Sequence, residues 1–226
     1  MKIIKVSQSG DRAAWLDMRR GVVTSTKAKT IKPLSRGKSL PAGIYELLAE
    51  KVAISKDGEP ERDRGLRLEN EALLLTQEEY NLDFELDAGM WFSDDMKLAV
   101  SPDASEVSDK PTYAGEAKCL DTKNHLSAIL TDYQNKQLVN YNPLDSLKIG
   151  TSDYTQQVIQ YFVINKDLET LYFTLYDDRV ALENVIHYII IIKREHVAEY
   201  IDGQELYERD ALAKVNNMIK ILKEIK

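Results

Sequence analysis

Two short stretches, Leu98-Ala-Val-Ser-Pro-Asp103 and Tyr113-Ala-Gly-Glu116-Ala-Lys118, decide how the chain is expected to fold. The first predicts a short strand that ends with an aspartate at a Ser-Pro turn, and the second predicts the next strand. On a strand, Glu116 and Lys118 project from the same face, and Ala117 faces the core. Because charged groups are costly to bury without partners, two carboxylates and one ammonium on one sheet face indicate a site.

The side chains of this site have the chemistry that a hard divalent cation requires. Magnesium usually takes one or two carboxylates, and waters and a substrate phosphate complete its shell. A lysine beside them can orient or deprotonate a water for attack at phosphorus, while the metal offsets the developing charge. The pattern Pro-Asp…Glu-x-Lys therefore favours metal-dependent phosphodiester hydrolysis. The alternative is an exposed β-hairpin that carries a surface Glu–Lys pair.

Hydrophobic periodicity on both sides of these stretches predicts a single α/β (or α+β) domain over residues 1–226. We expect helices at about 44–52, 66–80, 122–132, 153–164 and 203–226. On the second of these, Leu68, Ala72 and Leu75 are expected to face inward. Alternating or β-branched segments predict strands at about 82–86, 90–92, 98–100, 113–119, 171–176 and 185–192. This order places a central mixed sheet between helices.

Composition narrows the class of protein further. A chain of 226 residues that is 43% hydrophobic can bury one sizeable core, which excludes compositional disorder. Its single cysteine, Cys119, excludes a disulfide framework and a thiolate zinc site within one chain. The sequence shows neither an apolar run that could cross a bilayer nor a secretory apolar start. We therefore expect a soluble cytoplasmic protein without membrane contact.

Charge is distributed unevenly along the chain. Residues 1–40 hold ten basic and two acidic side chains, a net charge of +8. The other 186 residues hold 20 basic and 35 acidic side chains, so the whole chain has a net charge of −7. A basic N-terminal lobe on an acidic body favours a phosphate-bearing partner, although a short solvated basic segment has the same composition.

Three further stretches accompany the Pro-Asp…Glu-x-Lys pattern: Trp15-Leu-Asp-Met-Arg19-Arg-Gly21-Val-Val-Thr24-Ser-Thr26, Arg64-Gly65-Leu-Arg-Leu-Glu69 and Tyr154-Thr-Gln-Gln157. In order and spacing, the set resembles the four motifs of the lambda-type phage alkaline exonucleases. These are the viral recombinase nucleases of the PD-(D/E)xK superfamily. The resemblance implies a restriction-endonuclease-like core, with a central mixed β-sheet flanked by helices.

The resemblance also implies a catalytic role for each matched residue near the metal. Asp103 and Glu116 would bind the ion, and the backbone carbonyl of Ala117 would be a third protein ligand. Lys118 would act on the attacking water. Glu69 would serve a second metal ion or its waters. Magnesium is the implied cofactor, and manganese is expected to substitute for it.

The third stretch, Tyr154-Thr-Gln-Gln157, supplies one further candidate catalytic residue. The resemblance implies that Gln157 hydrogen-bonds near the lysine and the metal site. Because Gln156 and Gln160 are close neighbours, the sequence leaves a shift in register open.

The N-terminal motif implies a site for the terminal phosphate of DNA. Arg19 and Thr26 would hold the 5′-phosphate, since a guanidinium grips phosphate with two donors and a hydroxyl adds a third. The choice between Arg19 and Arg20 stays open at this point. In the basic loop at 33–42, Arg36 and Lys38 are candidate contacts to the DNA backbone, with a mobile charged loop as the alternative.

Taken together, the resemblance implies a magnesium-dependent, processive exonuclease that degrades linear double-stranded DNA from 5′ ends. It would release 5′-mononucleotides and leave a 3′ single strand for recombination by annealing, in a bacterial or phage-infected cell. The family forms a ring-shaped homotrimer around DNA and cooperates with a single-strand annealing protein, so both partners are expected. Two rivals are a structure- or sequence-directed endonuclease of the same superfamily and a non-catalytic DNA-binding module.

Overall fold

The structure of the protein, a computed structural model, describes residues 42–52, 61–86 and 88–224. The helices in these ranges are α1 (Ala42–Val52), α2 (Glu61–Tyr80), α3 (Thr122–Asn135), α4 (Thr155–Ile164) and α5 (Arg194–Glu224). The strands are β1 (Phe84–Leu86), β2 (Trp91–Phe92), β3 (Ala99–Val100), β4 (Ala104–Glu106), β5 (Tyr113–Lys118), β6 (Lys148–Ile149), β7 (Ser152–Asp153), β8 (Thr170–Tyr176) and β9 (His187–Lys193). Short 3₁₀ helices cover Pro143–Ser146 and Glu183–Val185. None of the described helices is both long and apolar enough to cross a membrane.

A five-stranded sheet with the order β1-β4-β5-β8-β9 forms the centre of the molecule. Strands β5 and β8 run parallel, whereas the other neighbouring pairs run antiparallel. The predicted central mixed sheet is therefore confirmed. Strand β5 is its middle strand and pairs along its whole length with β8. Strands β2 and β3, and β6 and β7, form two separate two-stranded sheets.

The core lies on both faces of β5. On one face, Ala114 belongs to a buried cluster with Val158 and Phe162 of α4. On the other face, Ala117 belongs to a buried cluster with Leu68 of α2. Each large apolar side chain that is fully buried contributes about 1.5–3 kcal/mol to folding. The middle strand is consequently held between α4 and α2.

Helix α2 differs from its prediction in start and in face. It begins at Glu61 rather than near residue 66. Leu75 is 36% exposed, so its predicted inward position is wrong, while Thr76 is fully buried. Thr76 can occupy the inward face because its hydroxyl donates to the carbonyl of Ala72 at 3.0 Å and lies 2.8 Å from the Thr174 hydroxyl. A satisfied polar group therefore takes the place that hydrophobicity alone assigns to leucine.

The structure around Asp103 also differs from its prediction. The aspartate does not end a strand, because β3 stops at Val100 and pairs with β2 in a separate sheet. Asp103 instead comes directly before β4, a strand that the sequence prediction missed. The physical reason is Pro102, which lacks an N–H and so cannot continue a ladder.

The C-terminal helix is longer than predicted. Helix α5 begins at Arg194, directly after β9, and passes through Gly203. A glycine inside a helix weakens it without breaking it, which makes Gly203 a poor marker of the helix start.

Gly115→Ala is expected to lower the free energy of unfolding by about 1–3 kcal/mol. A Cβ at Gly115 would lie 2.6 Å from the Cδ2 of Leu73 and 3.2 Å from the Cζ of Phe84, both on buried side chains. Gly65→Ala is the matched control, because its Cβ meets no described atom within 4 Å and helix propensity predicts a gain of about 0.5–1 kcal/mol. Urea unfolding of both variants measures the two effects, and equal signs would contradict this account of β5.

Candidate active site

The residues of the Pro-Asp…Glu-x-Lys pattern meet where β4 begins and β5 ends. The ladder between these strands stops at the pair Ala104 and Gly115. Beyond it, the Asp103 carboxylate accepts a hydrogen bond of 2.9 Å from the backbone N–H of Ala117. A side chain thus replaces the next ladder partner and holds the Asp103 carboxylate against the end of β5.

The same geometry places a backbone oxygen at this edge. The N–H and C=O groups of one residue in a strand point to the same side. Because the Ala117 N–H faces Asp103, the Ala117 carbonyl lies on the Asp103 side of β5 as well. The edge therefore presents a carboxylate and a carbonyl together.

The Glu116 side chain is only 2% exposed and is held by three donors. Gln157 donates its Nε2 to Oε1 at 2.6 Å, and Lys118 donates its Nζ to the same oxygen. The Tyr161 hydroxyl donates to Oε2 and lies 3.4 Å from the carbonyl oxygen of Ser101. Helix α4 therefore positions the carboxylate from one side, and its own strand neighbour supplies the positive charge.

The site contains more acidic than basic groups. Burial, together with a hydrogen bond to Glu69 on α2, raises the pKa of Asp103 to about 7. Burial also raises the pKa of Glu116, and Lys118 does not fully cancel that effect. Three carboxyl groups thus face one ammonium, an arrangement that a bound cation would stabilise.

Lys118 is kept in its ammonium form by its neighbours. Burial lowers its pKa, but the charge and hydrogen bond of Glu116 outweigh burial, so the net shift is upward. The Nζ atom also lies 5.3 Å from the centre of the Tyr154 ring, a cation–π contact that favours the charged form. In this form Lys118 is a donor that can hold a water or a phosphate oxygen.

The structure distinguishes the three neighbouring glutamines. Gln157 contacts Glu116, whereas the backbone of Gln156 and the side chain of Gln160 contact Gln204 on α5. The Tyr-x-x-Gln stretch therefore has two contacts in the site, one from Tyr154 to the lysine and one from Gln157 to the glutamate.

Tyr161 is a site residue to which sequence reasoning assigned no role. It is fully buried, and its ring also packs edge-on against Trp91 with centroids 6.2 Å apart. The available signal was its spacing, since a residue four positions after Gln157 lies on the same helix face.

The chemistry of the donors fits a hard divalent cation. Within the described ranges, no group of three or more His, Cys, Asp or Glu side chains is arranged to hold a metal ion alone. Two carboxylates from Asp103 and Glu116, with the carbonyl of Ala117, still match the sparse oxygen set that magnesium prefers when waters complete its shell. The predicted DNA contacts Arg19, Thr26, Arg36 and Lys38 lie outside the described residues.

A mixed sheet flanked by helices, with the Pro-Asp…Glu-x-Lys residues at the ends of two adjacent strands, defines a restriction-endonuclease-like fold. The family model of the YqaJ-like viral recombinase domain matches residues 14–185. The chain therefore belongs to the YqaJ-like viral recombinase family, as its resemblance to the viral recombinase nucleases predicted.

Solved structures agree with this assignment at the level of the fold. The crystal structure of an alkaline exonuclease, LHK-Exo, from Laribacter hongkongensis is 19% identical, with a TM-score of 0.52 and coverage of 93% of this chain and 96% of that one. The structure of LHK-Exo in complex with dAMP has the same identity and coverage and a TM-score of 0.54. No curated protein sequence matches the chain significantly.

Proposed function

We propose that the protein is a metal-dependent exonuclease that degrades linear double-stranded DNA processively from 5′ ends. It releases 5′-mononucleotides and leaves a 3′ single strand for recombination by annealing. The observation that carries this proposal is the convergence of Asp103, Glu116 and Lys118, with an excess of negative charge, at one sheet edge. The similar LHK-Exo binds dAMP, a mononucleotide of the kind that such a reaction releases.

Magnesium is the proposed cofactor, with manganese as its substitute. Asp103, Glu116 and the Ala117 carbonyl would hold the ion, and Glu69 would serve a second ion or its waters. When bound, a divalent cation polarises a phosphate oxygen and offsets charge on the leaving group.

Side chains of the protein orient the attacking water and the Glu116 carboxylate. Lys118 orients the attacking water through its ammonium protons, and it can act as a base only after losing one of them. Gln157 and Tyr161 hold the Glu116 carboxylate in one orientation, so that its remaining lone pair stays directed at the proposed metal position.

The test uses a 5′-end-labelled linear duplex and a closed circle of the same sequence, each with magnesium chloride or with EDTA. We expect labelled mononucleotides from the linear DNA with magnesium only, and intact circles throughout. Cleaved circles would identify an endonuclease instead. Binding of DNA without any hydrolysis, in magnesium or manganese, would identify a non-catalytic module.

Arg19→Ala is expected to reduce the preference for a 5′-phosphate over a 5′-hydroxyl end by about tenfold, because a charge-assisted contact is lost. The measurement compares initial rates on two duplexes that differ only in this group. Arg20→Ala is the matched control, since it removes the same charge one position away. If the control loses the preference and Arg19→Ala keeps it, the register is shifted by one residue.

We also propose a homotrimeric ring that encloses the DNA and works with a single-strand annealing protein in the cytoplasm of a bacterial or phage-infected cell. The charge distribution supports this arrangement, because basic residues 1–40 could line a channel while the acidic remainder repels DNA from outer surfaces. Native mass spectrometry of the full chain would show a trimer, and a monomer that hydrolyses processively would exclude the ring.

A further inference from the structure

The buried side chain of Gln204 on α5 forms hydrogen bonds with the part of α4 that reaches the site. Gln204 is 4% exposed. Its Nε2 lies 2.9 Å from the carbonyl oxygen of Gln156, 3.0 Å from the Oε1 of Gln160 and 3.0 Å from the Oε1 of Glu208. The first two contacts are to residues on either side of Gln157.

The hydrogen bonds around Gln204 leave buried oxygen atoms without a donor in the described part of the chain. The amide nitrogen of Gln204 has two protons for three acceptors. Its own Oε1 and the Oε2 of Glu208 are buried and have no partner among the described residues. Reversing the amide would direct its oxygen at the Gln156 carbonyl and the Glu208 carboxylate, so the orientation is determined. A cluster short of donors costs stability, which points to another reason for a glutamine here.

The two hydrogen bonds from Gln204 to Gln156 and Gln160 are a directional restraint on the rotation of α4. Apolar contacts of Val158, Ile159 and Phe162 hold the helix on the sheet, but apolar packing is not directional. Side-chain tips lie about 5–6 Å from a helix axis, so a rotation of about 20° moves them by about 2 Å. Such a movement would separate Gln157 and Tyr161 from Glu116.

We propose that Gln204 is a positioning residue for the nuclease site. It anchors Gln156 and Gln160, and it thereby keeps Gln157 and Tyr161 in contact with Glu116. The inference rests on the proposed nuclease function, and it extends the site to a helix that contributes no residue to the metal or the DNA motifs.

The test is steady-state hydrolysis of a 5′-phosphorylated duplex by the full chain at saturating magnesium. We expect Gln204→Leu to lower kcat by about tenfold and to leave the KM for DNA ends unchanged. A displaced Glu116 carboxylate slows the chemical step but does not weaken the binding of DNA. Leu206→Ala is the matched control on the same helix, since Leu206 is 72% exposed, and it should keep kcat within about twofold.

A double-mutant cycle separates positioning from a purely structural role. If Gln204 acts through Gln157, adding Gln204→Leu to Gln157→Ala should lower kcat by no more than about twofold further. Fully additive losses, or a lower melting temperature with kcat unchanged, would overturn the proposal. Should the leucine variant not fold, Gln204→Asn retains the amide one carbon shorter and carries the same test with an expected loss of about threefold.

Calorimetric titration with manganese chloride keeps the two hypotheses distinguishable. We expect Gln204→Leu to bind manganese several-fold more weakly than the wild-type chain, because Glu116 is less well oriented. A wild-type chain that hydrolyses no DNA would refute the proposed function alone, whereas an unchanged manganese affinity in Gln204→Leu would refute the positioning role.

Discussion

Lys118→Ala is expected to lower the rate of DNA hydrolysis by about a thousandfold, while binding to duplex DNA stays within about threefold. The ammonium of Lys118 is the single positive charge among three carboxyl groups in the described part of the site, and it contacts Glu116 directly. Its loss removes the donor that orients the attacking water, but it leaves the predicted DNA contacts of the N-terminal region in place.

Two controls make this result interpretable. Lys97→Ala removes a lysine that is 61% exposed and pairs with Asp95 rather than with a carboxylate of the site, and this variant should hydrolyse DNA normally. Because Lys118→Ala leaves Glu116 buried without its cation, the folded fraction must be measured by circular dichroism. A folded Lys118→Ala variant with near-normal turnover would refute the assigned role.

Asp103→Asn is expected to change activity and stability in opposite directions. Hydrolysis should fall by about a thousandfold, because a neutral amide is a poor ligand for a divalent cation. In EDTA at about pH 8, however, the variant should be more stable than the wild-type chain by about 2 kcal/mol. The asparagine mimics a protonated aspartate, since its oxygen can accept from the Ala117 N–H and its nitrogen can donate to Glu69.

The pH dependence of this gain has a determined sign. The pKa of Asp103 is raised by burial to about 7, above its value in the unfolded chain. The contribution of protonated Asp103 to folding stability is therefore fully present below the pKa of the unfolded chain, and it is lost as the pH rises through about 7. The stability difference between Asp103→Asn and wild type should be small at about pH 4 and grow toward pH 8. Urea unfolding across this range measures it, and a difference that shrinks with rising pH would contradict the assigned environment.

The part of the site that lies within one strand could be predicted from local spacing. Strand geometry alternates side chains, so Glu116 and Lys118 project toward α4, while Ala117 packs in the cluster of α2. The inward face of α2 was harder to predict, because Thr76 replaces Leu75 there only through a hydroxyl contact to a distant strand.

Contacts between elements that are distant in sequence could not be predicted from hydrophobic periodicity. The bond from the Ala117 N–H to Asp103 depends on where the β4–β5 ladder ends, and that depends on Pro102 and on β4. Hydrophobic pattern did not identify a three-residue strand that follows a proline so closely.

The sequence by itself determined the family, the mixed α/β class and the residue types of the candidate site, because motifs and periodicity are local properties of the chain. Only the tertiary structure decided that Gln157, rather than Gln156 or Gln160, meets Glu116, and that Tyr161 joins it. A helix presents every side in turn, and which side faces a strand is decided by packing against elements that lie far away in the sequence.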